Sequence, residues 1–245
     1  ETTSASRGRA YDDLSFGNTT GFELRGSAEY FNLTARDNGT VFYTPNGAFD
    51  GLAHDLSAFR NTTGLNWNSG VLSNARTFGN FGTGLYLTYG GWSVSGIVSY
   101  NNYTGIHTQG YHSNNSITNS LVYDNRDRGV WLDDVQTSSG VLTFSNNTVM
   151  EQNADAIRIT GNSQNVRIEN NVLWSGGAGH YVLNVSNTAQ RGFSSDYNLF
   201  HLTEDAKLAF WQSDFATLAD WRYELGFDTH SLAGDPRFVD AAGVD

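Results

Sequence analysis

Arg128, Trp131, Asp133 and Asp134 fall within the seven residues RGVWLDD (128–134). Neighbouring carboxylates can share general acid and base work or hold a hard cation such as Ca²⁺. Adjacent residues of a regular strand point to opposite faces, so Asp133 and Asp134 are poorly placed to act together. A partner for Asp133 has to come from another segment. NADAIRIT (153–160) supplies Asp155 and Arg158, GIHT (105–108) supplies His107, and GLYL (84–87) supplies Tyr86. Hydrolysis of a glycosidic bond needs two carboxyl groups about 5 to 9 Å apart, a role open to Asp133 and Asp155. Trp131 and Tyr86 can offer apolar ring faces to a sugar, and Arg128 and Arg158 can grip a carboxylate with two parallel hydrogen bonds.

These segments share a form that recurs through the chain. A small residue is followed by apolar, any, apolar in GLYL, GIHT, GVWL (129–132) and AIRI (156–159). Apolar residues at period two bury one face of a strand and expose the other. A second unit of seven residues opens on Asn or another turn residue and encloses apolar positions. It appears as NLTARDN (32–38), DLSAFRN (55–61), NARTFGN (74–80), GIVSYNN (96–102) and NSLVYDN (119–125), and continues as NTVMEQN (147–153), NVLWSGG (171–177) and NLFHLTE (198–204). Successive units start about 23 residues apart. Strands this short must stack on their equivalents in neighbouring periods. The pattern predicts a parallel β-solenoid in which recurring asparagines form side-chain ladders along the turns.

Composition agrees. The chain of 245 residues carries 27 glycines, 2 prolines and a single lysine, Lys207. Short strands joined by tight polar turns need such a mixture, and helices do not. Without cysteine there is no disulfide framework and no thiol chemistry. A formal charge of −11 excludes a nucleic-acid backbone or an anionic membrane surface as the natural partner. No apolar run is long enough for a transmembrane helix.

VRIENNVLWSGG (166–177), ITNSLVYDN (117–125) and GFELRGSAEYFNLT (21–34) resemble the coils of right-handed parallel β-helix repeat proteins, the pectate-lyase-like superfamily. SSDYNLF (194–200) followed by DWRYELGFDTHSLAGDPRFVD (220–240) resembles the closing segment of bacterial secreted members. The resemblance implies an all-β, single-stranded right-handed parallel β-helix of about eight coils, with a short helix or loop segment near the C-terminus. It implies a lead-in over residues 1–20, coils over 21–213 and a closing segment over 214–245, in a chain continuing beyond both ends. It also implies an extracellular or cell-surface location. The family contains uronate lyases, polygalacturonases, uronate C5-epimerases, tailspikes and adhesins, so fold alone does not choose a function.

Aligning the second strands on Leu85, Ile106, Val130 and Ile157 predicts the outward neighbours. One position on come Tyr86, His107, Trp131 and Arg158. Three positions on come Thr88, Gln109, Asp133 and Thr160, and two positions before come Thr83, Thr104, Arg128 and Asp155. Asp134 lies at the margin as a turn residue. The expected catalytic set is Asp133, Arg158, Asp155 and His107, and the expected substrate contacts are Trp131, Tyr86 and Arg128. Each also has a structural reading: Arg158 can simply neutralise an aspartate, and His107 can be a ladder residue. The resemblance implies that a lyase needs a Lys, Arg, His or Tyr base and charge neutralisation. Lys207 is expected to lie away from this stripe. No cofactor is implied, and Ca²⁺ is open.

Two functions follow. One is a module that binds or processes an acidic polysaccharide, lyase- or hydrolase-like. The other is a noncatalytic module such as an adhesin stalk, surface-layer component or filament subunit, whose ends could self-associate. In DFATLADW (214–221) the period changes to that of a short amphipathic helix, with Asp214 as N-cap.

Overall fold

The seven-residue unit turns a corner because one of its residues takes left-handed backbone. Asn32, Asp55, Asn74, Asn119, Asn146 and Asn170 all have φ between 51° and 56°, a conformation that Asn and Asp tolerate better than other side-chain-bearing residues. Each bends the chain from one strand into the next, as Asn32 does between Glu29–Phe31 and Thr34–Arg36. Repetition winds the chain into a parallel solenoid of about eight coils with three faces, built on sheets of nine, eight and ten strands. The computed structural model describes residues 8–45, 49–111, 114–136 and 140–239. Strands begin inside the expected lead-in: Arg9–Tyr11 and Leu14–Phe16 already pair with the next coil. In the last three coils the unit starts one residue earlier than its expected boundary, because the left-handed residues there are Asn146, Asn170 and Tyr197.

The asparagine ladders are present at two corners. Along one, the side-chain carbonyls of Asn61, Asn80, Asn102 and Asn125 accept from the backbone N–H of Asn38, Asn61, Asn80 and Asn102 at 2.9, 2.9, 3.0 and 3.0 Å. Along the other, Asn147, Asn171 and Asn198 do the same for later coils. Each ladder satisfies turn donors that burial would otherwise leave unpaired. The first ladder ends on a different residue. Glu151, fully buried, accepts from Asn125 N at 2.7 Å and from Asn125 Nδ2 at 2.9 Å.

Ladder side chains crowd the corner where the earlier strands of the eight-stranded sheet begin. A Cβ on Gly84 would lie 2.6 Å from Asn102 Nδ2, and one on Gly105 would lie 2.5 Å from the Gly129 carbonyl. Small residues recur there for this reason. The strands of that sheet, in chain order, are β1 (Leu65–Trp67), β2 (Thr83–Thr88), β3 (Thr104–Tyr111), β4 (Arg128–Gln136), β5 (Asp155–Thr160), β6 (Tyr181–Val185), β7 (Lys207–Trp211) and β8 (Ser213–Phe215). All pairs are parallel except β7 with β8, which folds back as a hairpin. Inward side chains such as Leu85, Ile106, Val130, Ile157 and Leu183 are fully buried in one continuous core.

Helix α1 (Leu218–Leu225) follows β8 and buries Trp221 against Phe215 and Trp211. Its N-cap is Thr217, whose hydroxyl accepts from Asp220 N at 3.2 Å. Asp214 is therefore not the cap. It lies in β8, extended and pointed elsewhere. Among the described residues no helix is long and apolar enough to cross a membrane.

Candidate functional site on the outer face of the eight-stranded sheet

The predicted register holds. Tyr86 pairs with His107, His107 with Trp131, and Trp131 with Arg158, while Thr104, Arg128 and Asp155 form the column before them and Gln109, Asp133 and Thr160 the column after. The second column continues beyond Asp155, because Tyr181 on β6 pairs with Lys207 on β7. Lys207 therefore shares the sheet and the column of the expected stripe instead of lying away from it.

On β2 to β4 the outward rings pack on one another. His107 stacks on Trp131 with centroids 4.0 Å apart and planes 7° apart, and Tyr86 tilts against His107 at 4.9 Å. The Arg128 guanidinium stands over the indole at 4.3 Å and pairs with Asp127. An indole face expected to be open to a sugar is thus covered by an imidazole. The indole N–H donates to Thr160 Oγ1 at 2.7 Å, and that hydroxyl donates to Asp133 Oδ1 at 2.5 Å. Tyr86 donates to Gln109 Oε1 at 2.7 Å. Burial lowers the His107 pKa to about 4, against a smaller opposing pull from Asp133. Its Nε2 is buried without a hydrogen-bond partner among the described residues. A neutral, weakly basic imidazole results, which suits a packing role better than the role of catalytic base.

Asp134 has φ 48° and sits at a β-bulge, where the register between β3 and β4 slips by one residue. Its Oδ1 accepts from Asn162 N at 3.2 Å and Gln136 Nε2 at 3.1 Å. It is the marginal turn residue expected. Asp133 and Asp155, proposed above as a carboxylate pair, do not meet. Asp155 is registered with Arg128, five residues before Asp133, an offset of about 16 Å along the strand. That exceeds any hydrolytic spacing.

On β5 to β7 the outward groups interact through charge. Asp155 lies on the outward side yet is fully buried, because its neighbours close over it. Arg158 grips its Oδ2 through Nε at 2.8 Å and Nη2 at 2.7 Å, and Asn184 Nδ2 adds a third bond at 2.8 Å. Tyr181 N donates to Oδ1 at 2.9 Å, and His180 Nδ1 lies 3.7 Å from that oxygen. Two of the five N–H bonds of the Arg158 fork are used on Asp155, and the side chain is part-exposed. Tyr181 donates its hydroxyl to Asp214 at 2.7 Å, and Lys207 pairs with the same carboxylate. Burial, then Asp214, pushes the Tyr181 pKa up to about 12. The phenol keeps its proton at neutral pH and can donate it.

The expected residues are therefore brought onto one face, with Asp155 as a buried anchor for Arg158. His180, Tyr181, Asn184, Lys207 and Asp214 join them without having been anticipated. The sequence signal was present in HYVLNV (180–185), which repeats the alternation of the earlier strands, but with Val182 where they have Gly or Ala. Among the described residues no group of three or more His, Cys, Asp or Glu side chains is gathered as a metal site.

A family model described as "Right handed beta helix region" matches residues 57–193. The chain also resembles the A-module of mannuronan C-5 epimerase AlgE6 from Azotobacter vinelandii, with a TM-score of 0.58 and 14% identity over 94% of this chain and 74% of that one. The AlgE4 A-module of the same organism gives 0.52 and 15% over 93% and 74%. At these identities the likeness is one of fold. No curated protein sequence matches the chain.

Proposed function

The chain belongs to the right-handed β-helix family, and from that premise we propose that it binds an acidic polysaccharide along the outer face of β2 to β7 and acts on its uronate units at C5. The observation that carries this reading is the gathering of Arg158, Tyr181 and Lys207 on adjacent strands, with His180 immediately before β6. Removing the proton α to a carboxylate needs a base, and it needs cations where negative charge develops on the carboxylate. His180, oriented beside Asp155, is the base. Arg158 and Lys207 neutralise the enolate-like intermediate. Tyr181, with its proton held by a raised pKa, is the acid. Returning a proton to the opposite face of C5 gives the epimer, and expelling the 4-linked sugar with a proton from the acid gives an unsaturated uronate.

The AlgE6 and AlgE4 modules, named as mannuronan C-5 epimerases, share this fold, and C5 chemistry is the reading common to them and to the groups on this face. Strands spaced about 4.8 Å apart also present one set of contacts for roughly each sugar of a chain lying along the solenoid axis. Trp131, Tyr86 and Arg128 serve as flanking contacts through ring edges and the guanidinium. An extracellular location accords with a polymeric substrate and belongs to the same proposal.

A noncatalytic surface module is favoured by one observation: each cation on this face already has an acidic partner, Arg128 with Asp127, Arg158 with Asp155 and Lys207 with Asp214. Incubation with alginate, pectin and glycosaminoglycans, with and without Ca²⁺, separates the two. Ultraviolet absorbance would reveal unsaturated uronates, and NMR would reveal inverted ones. Products lost in Arg158→Ala support C5 chemistry at this face. Unchanged polymers throughout would favour the noncatalytic module.

A further inference from the structure

Asp214 differs from the other acidic partners on this face in being free to leave. Asp155 is fully buried and held by Arg158, Asn184 and the Tyr181 backbone. Asp214 stands on the edge hairpin, opposite Phe210 and two residues past the left-handed turn at Gln212, with its side chain well exposed. Among the described residues its carboxylate has two partners only, the Tyr181 hydroxyl on one oxygen and the Lys207 ammonium on the other. Those two donors come from register-paired residues of neighbouring strands, so the sheet keeps their backbones side by side whether or not Asp214 is there.

We infer that Lys207 and Tyr181 form a carboxylate-binding subsite that Asp214 occupies as an internal stand-in until the carboxylate of a uronate unit displaces it. The inference rests on the uronate reading above and adds to it a built-in competitor. A sugar carboxylate carries the same two oxygens as the Asp214 side chain and can accept the same two hydrogen bonds. Displacement costs little, because an ion pair in this exposed setting contributes weakly to stability, and β8 lies at the sheet edge, where the freed side chain enters solvent. Hydrogen bonds from Lys207 and then Tyr181 hold the Asp214 carboxyl below its ordinary pKa. The competitor is therefore ionised at neutral pH, as a uronate is.

Lys207 is the only lysine in the chain, so protein grown with ¹³Cε-lysine gives one side-chain resonance. Wild type and Asp214→Asn would be titrated with a mannuronate hexamer and with a neutral mannohexaose, with calorimetry run in parallel. The expected result is a Lys207 shift with the acidic hexamer alone, half-saturating in Asp214→Asn at roughly two- to fivefold lower concentration, the range an exposed ion pair allows. If the hexamer binds by calorimetry while the Lys207 signal stays still, the subsite is wrong and the face remains a uronate site. Equal or weaker binding in Asp214→Asn likewise overturns the competitor. Absence of any uronate binding in both proteins overturns the inference together with the reading on which it rests.

Discussion

Strands β2 to β4 and strands β5 to β7 share one sheet, one register and one outward face, yet their side chains interact by different physics. On the first three, Tyr86, His107 and Trp131 hold one another by ring contact, and Asp133 is reached through the Thr160 hydroxyl. On the last three, a buried carboxylate organises an arginine, an asparagine and a backbone N–H, with Lys207, Tyr181 and Asp214 alongside. The boundary between them falls where the asparagine ladder ends at Glu151, on the corner leading into β5. Stacked rings make a stiff surface with few ionising groups available, which suits gripping a chain. Converging charges make a surface whose protons and cations can serve a reaction.

The comparison is most exposed to Asp155→Ala. That change strips a partly buried arginine and two N–H donors of their acceptor at once, and is expected to cost about 3 kcal/mol or more in urea unfolding. A loss below about 1 kcal/mol would mean that charge does not organise the second half. Trp131→Ala tests the other half. Loss of the stack and of the bond to Thr160 is expected to cost about 2 kcal/mol, and Trp131→Phe, which gives up only the N–H, about 1 kcal/mol. Equal costs for the two would show that the hydrogen bond, not the stack, matters.

The boundary itself should respond to pH. Burial raises the Glu151 pKa from 4.5 to about 8 despite its hydrogen bonds from Asn125. The folded state then binds a proton that the unfolded state has released, so this contribution to stability declines as pH rises from 4.5 to 8. Glu151→Gln should flatten that slope and gain about 1 kcal/mol at pH 9. A slope unchanged in the variant would place the pH dependence elsewhere. His107 should respond with the opposite sign. With its pKa lowered from 6.5 to about 4, the unfolded state binds the extra proton, and stability falls as pH drops through that window. Its imidazole resonance should titrate near pH 4, and Trp131→Ala should move the titration back toward 6.5.

The strands from β2 to β5 were legible because the ladder imposes a small residue at their start. Gly84, Gly105 and Gly129 each have a side chain or carbonyl within 3 Å of where a Cβ would go, and that constraint is visible as a recurring letter. Past Glu151 the crowding is gone, Val182 and Leu208 take the position, and the pattern that found Arg158 no longer finds Tyr181 or Lys207. Register alone would have shown that Asp155 opens β5 while Asp133 pairs with Thr160 at the other end of that strand. Ring stacking depends on side-chain torsions, so neither composition nor spacing could show that His107 covers Trp131. The helix start was decided by hydroxyl geometry: Thr217 stands three residues before Asp220, the spacing of a cap, and Asp214 does not.

The most direct test of C5 chemistry on the β5 to β7 face is to incubate the protein with mannuronate and guluronate oligomers in D₂O and follow the products by mass spectrometry and proton NMR. The account predicts that C5 protons are lost, either exchanged for deuterium with inversion or removed with formation of a double bond, that His180→Gln abolishes this while oligomer binding persists, and that Tyr181→Phe abolishes it with weakened binding. Binding that leaves every C5 proton in place would contradict it and leave this face a grip without a reaction.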